Sequence, residues 1–237
     1  DTSPYLAGNT YAHAFLPGWA LAGGSEATIA RLRDPALRER LRHELEDVGT
    51  DGHHGVPVDW AAIVVDGSSI AERASAAGER PIDVYCALCA DTGLAASALH
   101  HVGNEENVRA IMQDAGHTGG SDGILVGPRP HPRGWGTFPR YLAVYVRELG
   151  LLPLEQAIRR FTSLPAQRLR LPDRGLLRPG MAADVVVLDP DGVRDTATYE
   201  EPRQLPEGIP YVLVNGVVVV DDGAHTGATP GRGLRSG

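Results

Sequence analysis

The hydrophobic pattern of the chain changes its period near residue 172, and this change limits the folds open to it. Before that point, apolar residues recur at helical spacing in several segments that are separated by short apolar runs. After it, β-branched runs alternate with turn residues, and two such runs flank Asn215-Gly216, a dipeptide typical of a two-residue hairpin turn. The pattern predicts an α/β part over 1–172 and a small all-β part over 173–237.

Several polar residues stand where helices are predicted to begin. Asp34 precedes Pro35, which combines a favoured N-cap with the residue best suited to the first helical position. Asn104 precedes a segment whose apolar residues fall on one helical face, and it is predicted to cap that helix. Ser25 and Ser163 are predicted to cap two further helices.

Charge and hydrophobicity exclude some classes of partner. The net charge is −8 at pH 7, and no basic stripe interleaved with aromatic residues occurs, so a nucleic acid is not an expected partner. No run of about 18 apolar residues is present, so a membrane span is not expected. The expected partner is a small-molecule substrate.

The two cysteines, Cys86 and Cys89, are three residues apart in a predicted helix. This spacing could form half of a redox or zinc site, but no second pair and no histidine accompanies it. We therefore expect two buried core cysteines and a location in the reducing cytoplasm. The sequence begins at Asp1 within what reads as the inside of a domain, so we expect that an upstream part of the protein is missing.

Asp122 is the first candidate for catalysis. It lies in the run His-Thr-Gly-Gly-Ser-Asp-Gly, after a predicted helix. A polar residue at the C-terminal end of a barrel strand points into the active-site mouth, and flanking glycines let a ligand approach the backbone. A carboxylate there can accept a proton from an attacking water and return it to a leaving amine. The alternative is an ordinary turn, in which Ser-Asp-Gly is common.

Arg133 is the second candidate, as a ligand for a substrate carboxylate. It follows His131-Pro132 in a proline-rich loop, and a guanidinium held on a stiff backbone suits planar, bidentate recognition of a carboxylate. The alternative is a solvated loop arginine or a salt bridge, and Arg129 and Arg140 are close competitors. The chain contains no His-x-His and no His-x-x-x-His, so its histidines are expected to be polar loop residues.

Together these segments resemble the N-acyl-D-amino-acid deacylases (D-aminoacylases) of the amidohydrolase superfamily, over their C-terminal half. "DTSPYLAGNT" resembles a segment of that family, with Ser3 where tyrosine is usual. "GSDG" with "HPRGWGTFPRYLAVYVRE" resembles its most specific block, and "GMAADVVVLDP" and "GIPYVLVNGVVVV" resemble its closing segments. The resemblance covers nearly all of the chain and is weakest over 50–103.

The resemblance implies the C-terminal part of a metal-dependent (β/α)8 barrel over 1–172, and the C-terminal strands of a small β-sandwich domain over 173–237. It implies that zinc activates the water that hydrolyses an N-acyl-D-amino acid. Asp122 matches the family's catalytic aspartate, which can also touch a weak second metal site, and Arg133 matches the arginine that binds the substrate carboxylate. The main zinc ligands would lie upstream of Asp1, so we expect the chain alone to be inactive.

Two other functions remain open. One is a different amidohydrolase that opens cyclic amides, similar to dihydroorotases or hydantoinases, although those relatives lack the block around Arg133. The other is a non-catalytic, truncated homologue that binds a ligand or serves as a structural partner. The presence or absence of upstream metal ligands distinguishes this last possibility from an enzyme.

Overall fold

The computed structural model describes residues 1–234, and the chain within it divides into two compact units. The N-terminal unit holds residues 6–103 and 124–131, whereas the C-terminal unit holds 1–5, 104–123 and the residues from 132 onward. Each unit is therefore built from segments that are distant in sequence. The boundary predicted between 172 and 173 falls inside the C-terminal unit and stays a prediction.

The N-terminal unit packs helices against a four-stranded antiparallel sheet. The strands are β1 (Ala7–Tyr11), β2 (Ile63–Val65), β3 (Ser68–Ser69) and β4 (Ser97–His101), in the order β1-β4-β2-β3. The helices are α1 (Gly18–Leu21), α2 (Gly24–Arg33), α3 (Pro35–Arg42), α4 (Ile70–Ala77) and α5 (Pro81–Asp91). Short 3₁₀ turns span Ala12–Phe15 and Asp51–His53, and a π-helical stretch spans His43–Val48.

Local chemistry decides where the helices of this unit begin. Asp34 caps α3 as predicted, because its carboxylate accepts hydrogen bonds from the backbone N–H groups of Ala36 and Leu37. The predicted cap at Ser25 is wrong, since α2 already begins at Gly24 and is preceded by Gly23. Gly23 has a φ of 88°, a left-handed conformation that a serine would adopt only with strain.

Up to residue 234, the C-terminal unit contains four α-helices and a second antiparallel sheet. Its helices are α6 (Glu105–Gln113), α7 (Arg133–Arg140), α8 (Leu154–Phe161) and α9 (Ser163–Arg168), and a π-helical stretch, Tyr141–Glu148, continues α7. Its strands are β5 (Val185–Val187), β6 (Tyr211–Val214), β7 (Val217–Asp221) and β8 (Ala224–His225), paired in chain order. No helix within residues 1–234 is long and apolar enough to cross a membrane.

Two of the three local predictions for this unit are confirmed. The side-chain oxygen of Asn104 accepts a hydrogen bond from the backbone N–H of Asn107 at 3.0 Å and so caps α6. Asn215 and Gly216 form the turn between β6 and β7, and both have a positive φ. Ser163 is not a cap, because it is already the first residue of α9 and Thr162 precedes the helix.

The prediction of a mixed α/β fold is confirmed, whereas the assignment of residues 1–172 to part of a barrel stays a prediction. Over residues 1–234 no closed barrel is formed, and the pairings within both four-stranded sheets are antiparallel. The barrel interpretation of Asp122 requires a strand that ends at this residue, but within residues 1–234 no strand ends there, and an isolated parallel bridge joins Gly119 to Thr2. Glycine, serine and aspartate have low strand propensity, which explains why this run stays irregular.

A pair of histidines lies inside the N-terminal unit. Nδ1 of His53 donates to the carbonyl of Val56 at 2.8 Å, because a carbonyl oxygen can only accept. Nε2 of a neutral His53 must then accept, so Nε2–H of His100 donates to it at 3.0 Å. Both side chains are buried, and the ring of Phe15 contacts both edge-on. The structure thereby assigns the tautomers of both neutral rings.

This pair predicts a fold that loses stability in acid. Burial, followed by the neighbouring His53, lowers the pKa of His100 from 6.5 to about 4, with His54 and His101 adding to the effect and Asp59 opposing it. Between these values the unfolded chain binds a proton that the native chain does not, so stability falls as the pH falls. The slope is at most about 1.4 kcal/mol per pH unit.

The measurement is urea unfolding between pH 7.5 and pH 4.5. We expect H100Q to unfold with a flatter pH dependence than the original chain, because glutamine does not titrate. The matched control is H101Q, which replaces the exposed neighbour on the same strand. Equal pH slopes for H100Q and the original chain would contradict the prediction.

Candidate active site

Arg133 is anchored at the first position of α7. Pro132 precedes it, and the hydroxyl of Thr137 donates to the Arg133 carbonyl at 2.7 Å, which ties the first turn of the helix together. The side chain of Arg133 is only 4% exposed. Burial is the main cause that lowers the pKa of the guanidinium, and the carboxylate of Asp122 opposes this effect. A buried cation of this kind requires an anionic partner.

Asp122 has the opposite character. Its side chain is 80% exposed, and it lies in an irregular segment with glycines at 120 and 123. Its φ of 46° is in the left-handed region, which aspartate tolerates better than most residues other than glycine. The nearest atom to a Cβ built on Gly123 would be the Cα of Gly134, at 3.2 Å, so the segment passes close to the start of α7.

The structure brings together the two residues that the sequence singled out. Oδ2 of Asp122 lies 2.7 Å from Nη2 of Arg133, the length of a charge-assisted hydrogen bond. The two candidates therefore form one polar site at the start of α7. Their chemical roles stay predictions.

A buried carboxylate holds the middle of α7. The hydroxyl of Tyr5 donates to Oδ2 of Asp195 at 2.7 Å, and the backbone N–H of Ala197 donates to Oδ1 at 3.0 Å. The side chain of Asp195 is 6% exposed, and burial raises its pKa. A Cβ on Gly136 would overlap both the Asp195 carboxylate and the Tyr5 hydroxyl. Gly136 thus leaves the space in which these groups meet, one turn beyond Arg133.

The competing arginines are occupied elsewhere. Nε of Arg140 donates to the carbonyl of Pro4 at 2.8 Å, its guanidinium lies 5.0 Å from the centre of the Tyr5 ring, and Nη1 is 3.9 Å from Asp195. Arg129 belongs to the N-terminal unit, where it donates to the carbonyl of Asp66. These contacts favour Arg133 as the arginine that acts with Asp122.

Two of the three histidines considered near this site, His117 and His131, are buried in the protein, whereas His101 is exposed. His117 is 5% exposed, and burial, followed by the charge of Arg160, lowers its pKa to about 4. His131 is fully buried, and its Nε2 donates to the carbonyl of Ala7 at 2.8 Å. His101 ends β4 and is exposed. Of these three histidines only His101 is exposed, and it lies at the end of a strand and not in a loop as predicted.

The residues present do not complete a zinc site. Within residues 1–234 there is no cluster of three His, Cys, Asp or Glu side chains that could hold a metal ion, whereas zinc sites use three or four such ligands. Cys86 and Cys89 are buried free thiols in α5, as expected, and burial raises the pKa of both to about 12. Asp122 offers an exposed carboxylate at this site, but no set of three ligands accompanies it among the described residues.

Sequence reasoning missed the residues that hold α7. Tyr5 lies in the segment "DTSPYLAGNT", but neither Tyr5 nor Asp195 was singled out as a site residue. The glycines at 134 and 136 are the signal that another group packs closely against this helix. A mid-helix glycine costs stability, so its presence is a signal that a neighbour needs the space. The sequence does not say which neighbour it is.

Comparison with known proteins shows to what this chain is similar. The amidohydrolase family matches residues 8–220. A D-aminoacylase of Alcaligenes xylosoxydans xylosoxydans is 47% identical over 139 residues, which cover 59% of this chain and 29% of that protein. An N-acyl-D-glutamate deacylase of the same organism is 43% identical over 169 residues, which cover 71% of this chain and 33% of that protein. The chain thus spans about a third of the length of these relatives.

Solved structures show a similar fold. A crystal structure of D-aminoacylase matches with a TM-score of 0.70 and 31% identity, over 96% of this chain and 40% of that one. The N-acyl-D-glutamate deacylase of Bordetella bronchiseptica, in complex with zinc and a phosphonate inhibitor, matches with a TM-score of 0.65 and 33% identity. That match covers 92% of this chain and 39% of the other.

The packing at Gly136 generates a prediction about stability. G136A would force the added methyl group against Asp195 and Tyr5, so we expect the free energy of unfolding to fall by about 1–3 kcal/mol. G231A is the control, since a Cβ there meets nothing within 4 Å.

A double-mutant cycle tests which group the added methyl meets. In a chain that already carries D195A, G136A should lower the free energy of unfolding by less than it does in the original chain, and urea unfolding measures this difference. Additive costs would contradict the proposed contact.

Proposed function

Because this chain belongs to the amidohydrolase family, we propose that it is the C-terminal part of a hydrolase that cleaves the amide bond of N-acyl-D-amino acids. The similarity to a D-aminoacylase and to N-acyl-D-aspartate and N-acyl-D-glutamate deacylases supports this substrate class. The observation that carries the proposal is the contact between Asp122 and Arg133, at 2.7 Å. It joins a proton acceptor to a group that binds carboxylates, and the substrate needs both.

Each residue has one proposed task. The Asp122 carboxylate accepts a proton from the water that attacks the acyl carbon, and a tetrahedral intermediate forms. Asp122 then returns the proton to the nitrogen as the C–N bond breaks, which releases the carboxylic acid and the D-amino acid. Arg133 binds the carboxylate of the amino-acid part through its guanidinium, which fixes the position of the amide. The exposure of Asp122 supports its role because a proton shuttle must reach solvent and substrate.

Zinc is the proposed cofactor, held mainly by residues outside this sequence. The similar deacylase of Bordetella bronchiseptica was solved with zinc, and a similar D-aminoacylase has a binuclear metal centre. When bound, zinc would lower the pKa of a water ligand toward neutrality. Asp122 could contribute one carboxylate to a weak second metal site, but the described residues do not provide the remaining ligands.

The finer architecture belongs to the same proposal. We take residues 1–172 as part of a metal-dependent (β/α)8 barrel and 173–237 as a share of a β-sandwich domain. The match to D-aminoacylase structures over 96% of the chain supports this assignment. A cytoplasmic location is also proposed, and the two free thiols are consistent with a reducing compartment.

The first experiment tests where the metal ligands lie. The chain alone, supplied with zinc sulfate, should not hydrolyse N-acetyl-D-leucine, N-acetyl-D-aspartate or N-acetyl-D-glutamate, because residues 1–234 hold no three-ligand zinc cluster. A chimera in which this chain replaces the matched segment of the Alcaligenes D-aminoacylase should hydrolyse at least one of them. Zinc-dependent activity of the chain alone would contradict the need for outside ligands. A folded, zinc-loaded chimera without activity would contradict the deacylase assignment.

The second experiment tests the proton shuttle within an active chimera. D122N removes the proton acceptor, so kcat should fall about 10²–10⁴-fold. The matched control is D222N, because Asp222 is also exposed and has a similar φ of 47°. Asparagine tolerates this backbone conformation in both variants, so neither should unfold. Similar kcat values for D122N and D222N would remove Asp122 from the mechanism.

A further inference from the structure

The ion pair at the start of α7 joins a fixed residue to an exposed one. Arg133 is 4% exposed and belongs to a helix that Asp195 and Tyr5 hold in place, whereas the side chain of Asp122 is 80% exposed and lies in an irregular segment. If the contact opens, Asp122 is therefore the partner that moves. Its φ of 46° also places it in a sparsely populated backbone region.

The carboxylate of Asp122 and the carboxylate of the substrate compete for the guanidinium of Arg133. The side chain of Arg133 is only 4% exposed, and its Nη2 contacts Oδ2 of the exposed Asp122 at 2.7 Å. A substrate carboxylate would approach from solvent toward this same edge. Two carboxylates at one small edge repel each other, so the one with the better geometry displaces the other.

The exchange favours the substrate. An exposed aspartate contributes little net energy to an ion pair, because water solvates the free carboxylate almost as well. A carboxylate that binds a guanidinium through both oxygens makes two parallel charge-assisted hydrogen bonds. The amide end of the substrate adds further contacts, and Arg133 stays paired with an anion throughout, so its buried charge is never left alone.

We propose that the α-carboxylate of the substrate replaces Asp122 on Arg133 and thereby releases the carboxylate that acts as proton acceptor. This inference rests on the proposed function and adds a specificity rule to it. An amide without a carboxylate would leave Asp122 bound to Arg133, so discrimination against such amides appears in kcat as well as in KM. Arg133 then selects substrates by controlling the proton acceptor and not only by binding.

The test observes Asp122 directly in this chain, without catalysis. The signal is the ¹³C resonance of the Asp122 carboxyl carbon in the ¹³C-labelled chain, assigned by its loss in D122N. The two probes are N-acetylglycine and N-methylacetamide, which differ only by the carboxylate. N-acetylglycine should shift the resonance to the position that R133M shows without any ligand, and N-methylacetamide should leave it in place. R129M, at an arginine of the N-terminal unit, should behave as the original chain does.

The other outcomes overturn the proposal in distinguishable ways. If N-acetylglycine shifts backbone resonances at Arg133 while the Asp122 carboxyl does not move, the exchange fails and the carboxylate-binding role of Arg133 survives. If R133M leaves the Asp122 resonance unchanged, the ion pair itself is not formed in solution. If saturating N-acetylglycine shifts neither residue, Arg133 does not bind carboxylates, and both the exchange and the proposed task of Arg133 fail.

Discussion

The carboxylate of Asp195, buried against Gly136, is the contact on which the rest of the candidate site depends. It joins three parts of the chain, since it accepts from Tyr5 near the start, packs on α7, and belongs to the segment between β5 and β6. Arg140 adds a bond to the Pro4 carbonyl on the same side. Because α7 is held in this way, the guanidinium of Arg133 has a defined position, one turn before the contact.

The two residues of the ion pair differ in burial, and this difference agrees with the different tasks proposed for them. The side chain of Arg133 is buried, so its guanidinium has little freedom to move, which suits a group that must orient a substrate. Asp122 keeps its solvent, which suits a group that must accept a proton and release it again. The same physical reasoning separates Arg133 from Arg140, whose guanidinium is committed to contacts with Pro4, Tyr5 and Asp195.

Most of the predictions that were confirmed depend on neighbouring residues, although the caps predicted at Ser25 and Ser163 were wrong because each serine lies inside its helix. Asp34, Asn104 and the Asn215-Gly216 turn act through bonds within a few residues, so their sequence signals were sufficient. The strand before Asp122 failed because a strand needs a partner, and small residues make poor partners. The bond between His53 and His100 joins a 3₁₀ turn to a strand far along the chain, and no spacing rule could connect them.

The sequence by itself determined the mixed helix and strand content, the helix starts at Asp34 and Asn104, the hairpin, and Asp122 and Arg133 as candidates. Only the tertiary structure decided that these two side chains meet, that the arginine is buried and the aspartate is not, and that Asp195 and Tyr5 hydrogen-bond to each other against Gly136 of α7. The reason is physical. Caps and turns are governed by bonds within a few residues, whereas burial and ion pairing depend on which distant segments fill the space around a side chain.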